Sequence, residues 1–282
     1  MNNQQNYKQI ILLGSDNLLG KEFIKYFMTK KQKIKKIKQS NFTNFTMEEV
    51  FSKLKLLLNK KDNLIINCIG FFGVYEAESQ KDEVIRLNSN FVFYLSVFCS
   101  KYNIDLLIFS SAYIFSGLKQ KKYKEEDKRD SCYAYGNSKI LAEKWVEILL
   151  KKYYIIRTAW LYNNEGRGFP EKIIDILKKN KEIKITKNQI ITPTNMEELI
   201  NQINIIIDEK KYGKYNITNK GKISWYRLIL KLKRIFNFKI KIIKNTEKKL
   251  SFILENKNIE LLKINIMSEW EKIFFEAVKK LE

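Results

Sequence analysis

The stretch "KQIILLGSDNLLGKEF", Lys8 to Phe23, is an apolar run that ends in glycine and leads into a helical pattern. Gly14 and Gly20 frame this strand-to-helix turn, with Asn17 between them. In dinucleotide-binding folds, glycines at such a turn let the backbone approach a pyrophosphate at the positive end of the next helix. Asn17 tolerates a left-handed backbone better than most residues but carries a side chain. The turn therefore predicts a cofactor site with one departure from the usual glycines.

Short β-like runs alternate with helical patterns through the first 160 residues. This alternation predicts an α/β fold with a doubly wound parallel sheet of the Rossmann type. The predicted strands are Lys8 to Gly14, Lys33 to Lys38, Asn63 to Cys68, Asp105 to Ser111 and Tyr153 to Trp160. The predicted helices lie at about 19–30, 46–59, 80–102 and 136–151. Active sites in such sheets lie outside the carboxyl ends of the strands.

After Trp160 the alternation of strand and helix patterns becomes less regular. This change predicts a smaller α/β lobe in the C-terminal part of the chain. Helices are expected near 169–179, 196–209, 224–236 and 268–281, with a strand at 214–218. We expect residues 1–160 plus about 192–218 to form the NAD(P)-binding Rossmann domain. About 161–191 plus 219–282 would form the substrate-binding lobe.

The amino-acid composition limits the classes of protein to which the chain can belong. With 282 residues, 45% hydrophobic, the chain can bury a full core, and no apolar run approaches the ~18 residues of a membrane span. The polar N-terminus has no signal-peptide core, so we expect a cytoplasmic protein with no membrane partner. The net charge of +22 is spread along the chain rather than gathered in a patch, so we expect no nucleic-acid partner.

Histidine is absent, which excludes Ser-His and Cys-His catalysis and the common zinc sites. Three separated cysteines form no disulfide framework, and the sequence predicts no metal site. No acidic residue lies between Glu22 and Glu48, where an NAD-binding carboxylate would stand. Lysines fill this region instead, which favours the 2′-phosphate of NADP(H) and leaves NAD(H) open: Lys30, Lys31, Lys33, Lys35, Lys36 and Lys38.

Two Tyr-x-x-x-Lys pairs occur, Tyr26/Lys30 and Tyr135/Lys139, and chance alone predicts about 2.5 in a chain of this composition. The first pair lies on the predicted first helix, away from strand ends. The second begins the helix after the fourth strand, whose end contains Ser111. The ammonium of Lys139 beside the phenol would lower the pKa of Tyr135, making it a proton-exchanging group.

At these residues the chain resembles the extended short-chain dehydrogenase/reductases, and within them the dTDP-4-dehydrorhamnose reductase group. The resemblance covers most of the chain in matching order. It is carried by "INCIGFFGVYEAE" (66–78), "RLNSNF" (86–91), "SSAYIFSG" (110–117), "YGNSKILAEK" (135–144), "IRTAWLY" (156–162), "NQIITPT" (188–194), "GKYNIT" (213–218) and "SWY" (224–226).

The resemblance implies roles for individual residues. Ser111, Tyr135 and Lys139 correspond to the catalytic triad, with Tyr135 as general acid and Lys139 supporting it and holding the nicotinamide ribose. Cofactor-binding positions are implied at Gly14, Asn17, Leu18, Leu19, Gly20, Asn41, Phe42, Gly70, Phe71, Phe72, Tyr135 and Lys139. The resemblance also implies substrate-binding positions, at which family members contact a nucleotide-sugar: Ser111, Ala112 and Trp160. The oligomeric state stays open, with a homodimer as one option.

The departures from the family pattern lie at substrate-facing positions. Ala112, Tyr75 and Asn188 stand where the family usually has Asp, Ile191 replaces a glycine, and no Arg-Pro is visible near 246–256. The resemblance implies an NADPH-dependent oxidoreductase that reduces the 4-keto group of a nucleotide-activated deoxysugar. The alternative is a non-catalytic, NADP-binding regulatory or structural relative. A nucleotide-sugar epimerase or dehydratase is weaker, because dehydratases commonly have an acidic residue at the position of Ala112.

Overall fold

We analysed a computed structural model of the chain, which describes residues 7–42, 44–58, 63–119, 121–245 and 250–281. Residue 59 of one predicted helix and residues 246–249 lie outside the described residues. The strands, numbered in chain order, are β1 Gln9–Leu13, β2 Ile34–Ile37, β3 Asn63–Asn67, β4 Asp105–Ser111, β5 Tyr153–Thr158, β6 Leu161–Tyr162, β7 Glu182–Thr186, β8 Ile190–Ile191, β9 Thr194–Asn195, β10 Gly213–Asn216, β11 Ile223–Ser224 and β12 Lys241–Asn245. The helices are α1 Leu18–Thr29, α2 Met47–Lys55, α3 Lys81–Ile85, α4 Phe91–Tyr102, α5 Ala134–Leu149, α6 Phe169–Lys179, α7 Met196–Asp208, α8 Trp225–Ile235, α9 Lys257–Leu261 and α10 Trp270–Lys279.

A central sheet of six strands has the order β10-β5-β4-β3-β1-β2. β1 pairs in parallel with β2 and with β3, and β3 pairs in parallel with β4. Every residue of β1, β3 and β4 is buried, as expected when helices cover both faces of a parallel sheet. The predicted α/β fold with a parallel sheet is confirmed. Its order places the ligand crevice at the carboxyl ends of β1 and β3, where the direction of strand succession reverses.

The helix predicted at 80–102 is not continuous. A π-helical turn, Arg86–Asn90, separates α3 from α4. Such a turn inserts one extra residue into the helical ladder and often marks a functional site. Here it buries Asn88 and Ser89, two polar residues that a regular apolar helix face would not predict.

The chain divides into two compact units. The first contains Met1–Phe115, Lys128–Arg157 and Ile200–Tyr215, and the second contains Ser116–Asp127, Thr158–Leu199 and Asn216–Glu282. Residues 116–127 and 192–199, which the sequence assigned to the first domain, belong to the second unit. The assignment of one unit to the cofactor and the other to the substrate stays a prediction.

The second unit has its own core and its own small sheets. Tyr162, Ile174, Leu228, Trp270 and Phe274 are buried together in it. β7 and β12 pair in parallel and were not predicted, because both contain lysines and are partly exposed. Among the described helices of the whole chain, none is long and apolar enough to cross a membrane.

Candidate active site

The loop after β1 closes tightly against both neighbouring strands. Gly14 has a φ of +76°, and a Cβ there would lie 2.7 Å from Asn17 Nδ2 and 2.8 Å from the carbonyl carbon of Cys68. The backbone N–H groups of Gly14 and Ser15 both donate to the carbonyl oxygen of Ile37, at 2.8 and 3.0 Å. Both the backbone conformation and the lack of space therefore require glycine at position 14.

Asn17 closes this loop with its side chain. Its backbone is extended (φ −82°, ψ 169°), so the left-handed conformation considered from the sequence is not used. Its Oδ1 accepts from Gly20 N at 2.8 Å and caps α1, while its Nδ2 donates to the Cys68 carbonyl oxygen at 2.5 Å. The first N–H groups of a helix have no partner within the helix, so those of Leu18 and Leu19 remain available to an anion.

We expect Asn17→Ala to lower the free energy of unfolding by about 2 kcal/mol, since it removes a helix cap and a hydrogen bond to the end of β3. Asn17→Ser should cost about half as much, because serine caps a helix but cannot reach the carbonyl of Cys68. Urea unfolding followed by circular dichroism measures both variants. Equal stability of all three proteins would contradict the two-contact role.

The loop after β3 is attached to α5 through Asn88. Asn88 Oδ1 accepts from Phe71 N at 2.8 Å, and its Nδ2 donates to Ser138 Oγ at 3.0 Å. A Cβ on Gly70 would lie 2.8 Å from Asn88 Oδ1 and 3.4 Å from Lys139 Nζ. The loop thus lies close to the ammonium of Lys139. Asn88 was not singled out from the sequence, although it lies in the quoted segment "RLNSNF".

A cavity of about 460 Å³ opens beside these loops in the first unit. Its lining residues are Asp16, Asn17, Gln39, Ser40, Phe42, Phe72, Glu83, Arg86 and Leu87. Of the two implied cofactor-binding residues that follow β2, Phe42 lines the cavity, whereas Asn41 Oδ1 accepts from Lys38 N at 3.1 Å. Phe72 is 52% exposed and also lines the cavity. The cavity has an aromatic wall and polar groups, which suits a nucleoside.

Ser111, Tyr135 and Lys139 belong to the same unit and come from the end of β4 and the first turns of α5. Lys139 is buried and donates to the Phe109 carbonyl oxygen at 3.1 Å. Its Nζ lies 5.9 Å from the centroid of the Tyr135 ring. An ammonium has three donors, so the described residues leave two N–H groups of Lys139 for a ligand.

Burial controls the protonation of this pair. Burial raises the pKa of Tyr135 to about 12, although interaction with the Ser111 hydroxyl lowers it. Burial also lowers the pKa of Lys139 to about 8, against the opposing charge of Glu143. The expectation of a lowered Tyr135 pKa is therefore wrong, because desolvation by burial is the dominant effect on the phenol. Tyr135 is a phenol at neutral pH.

The two expected substrate positions lie in different units. Ala112 is fully buried and begins a 3₁₀ turn whose N-cap is Ser111. Trp160, in the second unit, has a φ of +53°, and its ring centroid lies 5.0 Å from that of Trp225. A left-handed backbone is strained for a bulky residue and persists only where packing holds it. Nothing in these contacts tests the substrate roles, which stay predictions.

The described ranges contain no group of three or more Cys, Asp or Glu side chains that could hold a metal ion. The polar groups at the strand ends are instead a hydroxyl, a phenol and an ammonium, which are proton donors and hydrogen-bonding groups.

The sheet order, the β1 loop and the strand-end residues define a Rossmann-type α/β protein with a Ser-Tyr-Lys site. The chain belongs to the RmlD substrate binding domain family, whose pattern matches residues 8–251.

The chain is similar to several proteins that are named as reductases. The dTDP-4-dehydrorhamnose reductase of Aggregatibacter actinomycetemcomitans is 28% identical over 225 residues, 77% of this chain and 76% of that protein. A dTDP-4-dehydrorhamnose reductase structure from Clostridium acetobutylicum has a TM-score of 0.86 and 28% identity, covering 97% of this chain and 99% of that one. Matches to other curated relatives span only 56–58% of their length.

Some solved structures with a similar fold contain NADP, and others contain NAD. The Bacillus anthracis dTDP-4-dehydrorhamnose reductase was solved in complex with NADP; its TM-score is 0.83 at 24% identity, with 97% of each chain covered. Other solved chains of this fold contain NAD. At these identities the likeness shows the fold.

Proposed function

We propose that the protein is a ketoreductase that uses NADPH or NADH to reduce the 4-keto group of a nucleotide-activated deoxysugar. The observation that carries this proposal is the meeting of Ser111, Tyr135 and Lys139 beside the loop after β3. The names of the relatives support the substrate class. The sugar itself is left unspecified, since Ala112 departs from the family pattern.

The residues at the crevice fit a dinucleotide. The available N–H groups of Leu18 and Leu19 suit a pyrophosphate, and the cavity lined by Phe42 suits the adenosine. Gly70 leaves room near Lys139, whose two remaining donors would hold the nicotinamide ribose. A bound reduced dinucleotide supplies the hydride, and the protein supplies position and the proton.

Tyr135 would act as the general acid. A phenol is protonated at neutral pH, and burial raises the pKa of Tyr135 further, so it can donate a proton to the carbonyl oxygen as negative charge develops there. Ser111 would orient the same oxygen by a hydrogen bond. The charge of Lys139 would stabilise the phenolate that remains, which is the point at which the ammonium matters for Tyr135.

The direct test mixes the purified full-length protein with NADPH or NADH and a panel of dTDP-4-keto-6-deoxysugars. We expect loss of reduced-nicotinamide absorbance with at least one sugar and formation of the matching alcohol, identified by mass spectrometry. A protein that binds dinucleotide but reduces none of these sugars would contradict the proposal.

The alternative is a non-catalytic dinucleotide-binding relative. Asn17, whose side chain occupies the phosphate loop, and the buried Ala112 favour it. The buried Tyr135/Lys139 pair opposes it, since burying an ammonium is costly without a function to maintain it. Dinucleotide binding that Tyr135→Phe does not change, with no turnover by either protein, would support this alternative.

A further inference from the structure

Asp16 contributes a carboxylate at the place where the sequence predicted none. We propose that this carboxylate makes the protein prefer NAD(H) over NADP(H), contrary to the expectation from the surrounding lysines. The inference rests on the proposed dinucleotide binding and adds to it the identity of the dinucleotide.

The position of Asp16 follows from one hydrogen bond. Its Oδ1 accepts from Gln39 N at 2.7 Å, which joins the loop after β1 to the segment that follows β2. The Gln39 side chain in turn accepts from Gly70 N at 3.2 Å. In this fold an acidic group after the second strand binds the ribose hydroxyls of NAD, and a cation there accommodates the 2′-phosphate of NADP. Asp16 reaches that place from the first loop.

The charges lining the cavity favour the same dinucleotide. Asp16 and Glu83 are acidic, and Arg86 is the one basic residue among the lining residues in the described part of the chain. Arg86 is held by Glu83 through two hydrogen bonds, Nε to Oε2 at 2.7 Å and Nη2 to Oε1 at 2.6 Å. This pairing neutralises its charge, so the cavity keeps the net negative charge of Asp16. A 2′-phosphate would meet that charge directly.

The nearby lysines do not change this balance. None of the described lysines lines the cavity. Lys35 donates to the Leu57 carbonyl oxygen at 2.8 Å, Lys53 donates to the Asn41 carbonyl oxygen at 2.6 Å, and Lys38 is exposed. Charges on exposed side chains are screened by water and salt far more than a carboxylate that lines the site.

Arg86 Nη1 is buried and has no hydrogen-bond partner among the described residues. Its two N–H groups belong to a guanidinium whose Nε and Nη2 already donate to Glu83. They fit neutral acceptors such as a ribose oxygen or an adenine nitrogen. This nitrogen therefore suits a contact to the nucleoside.

Binding of NADH and NADPH to the full-length protein without sugar tests the proposal, because the fluorescence of the reduced nicotinamide reports binding without turnover. The unmodified protein should bind NADH at least about tenfold more tightly than NADPH. Asp16→Asn should reduce this ratio by about tenfold. Asparagine keeps an oxygen acceptor for Gln39 N, so the loop should retain its structure, which an unchanged thermal midpoint would verify.

Asp82→Asn is the matched control, since it makes the same change on an exposed residue that does not line the cavity. It should leave the ratio within about twofold. A preference for NADPH in the unmodified protein, or an unchanged ratio in Asp16→Asn, would overturn the inference while leaving dinucleotide binding intact. Selective loss of NADPH binding in Lys38→Ala would assign a 2′-phosphate site to that lysine and also overturn it. If neither dinucleotide binds, the proposed function fails together with this inference.

Discussion

Tyr135→Phe is expected to lower kcat for reduction of the sugar substrate by about 10²–10⁴-fold, the usual contribution of a general acid. The aromatic ring is retained, and Tyr135 is only 7% exposed, so packing should be preserved. Dinucleotide affinity should change by less than about threefold, because Lys139 still provides its donors. Steady-state kinetics and fluorescence titration separate the two quantities.

Tyr26→Phe is the matched control for this experiment. Tyr26 also precedes a lysine by four positions, and Lys30 Nζ lies 5.8 Å from its ring centroid, close to the 5.9 Å of Lys139 and Tyr135. This distance is therefore nearly the same in the two pairs, whereas their surroundings differ. Tyr26→Phe should leave kcat within about twofold. Similar losses in both variants would indicate a general effect of removing a phenol and would count against the catalytic role.

The two Tyr-x-x-x-Lys pairs illustrate which properties a sequence can predict. Spacing alone could not separate the two pairs, but position along a β-α series could, since the carboxyl ends of parallel strands meet at one edge. No charged residue interrupts the apolar runs of β1, β3 and β4. The hydrophobic pattern therefore predicted the sheet and the position of Ser111 at a strand end. The sequence could therefore predict the strands and helices that show a regular hydrophobic period.

The sequence could not predict the properties of the site that depend on contacts between residues far apart in the chain. A carboxylate was sought downstream of β2, but Asp16 reaches that place through a hydrogen bond to Gln39 N. The predicted direction of the Tyr135 pKa shift was wrong because burial, which spacing does not reveal, raises that pKa more than the Ser111 hydroxyl lowers it. The π-helical turn that positions Asn88 was missed, since its residues also fit a regular helix.

Arg157→Met is expected to lower the free energy of unfolding by about 3–5 kcal/mol, because it leaves the carboxylate of Glu143 buried without its main partner. Both side chains are fully buried. Arg157 donates to Glu143 through Nε at 2.8 Å and through Nη2 at 2.6 Å. Burial alone would raise the pKa of Glu143, but the hydrogen bonds from Arg157 hold it below its ordinary value. Urea unfolding of the full chain at neutral pH measures the loss.

Lys214→Met is the control for the charge change. Lys214 pairs with Glu147 at 2.9 Å, and its side chain is 34% exposed. Arg129 pairs with both Glu147 and Glu143, each at 2.9 Å, so Lys214 belongs to the same network as Arg157. Solvent-exposed pairs contribute little, so the loss should stay below about 1 kcal/mol. Arg157→Lys keeps the charge and loses the planar fork that meets both carboxylate oxygens, so its loss should fall between the two. Because Glu143 lies one helical turn beyond Lys139 on α5, we also expect Arg157→Met to lower kcat in the protein that remains folded. Equal losses for Arg157→Met and Lys214→Met would show that burial of the pair does not determine its contribution.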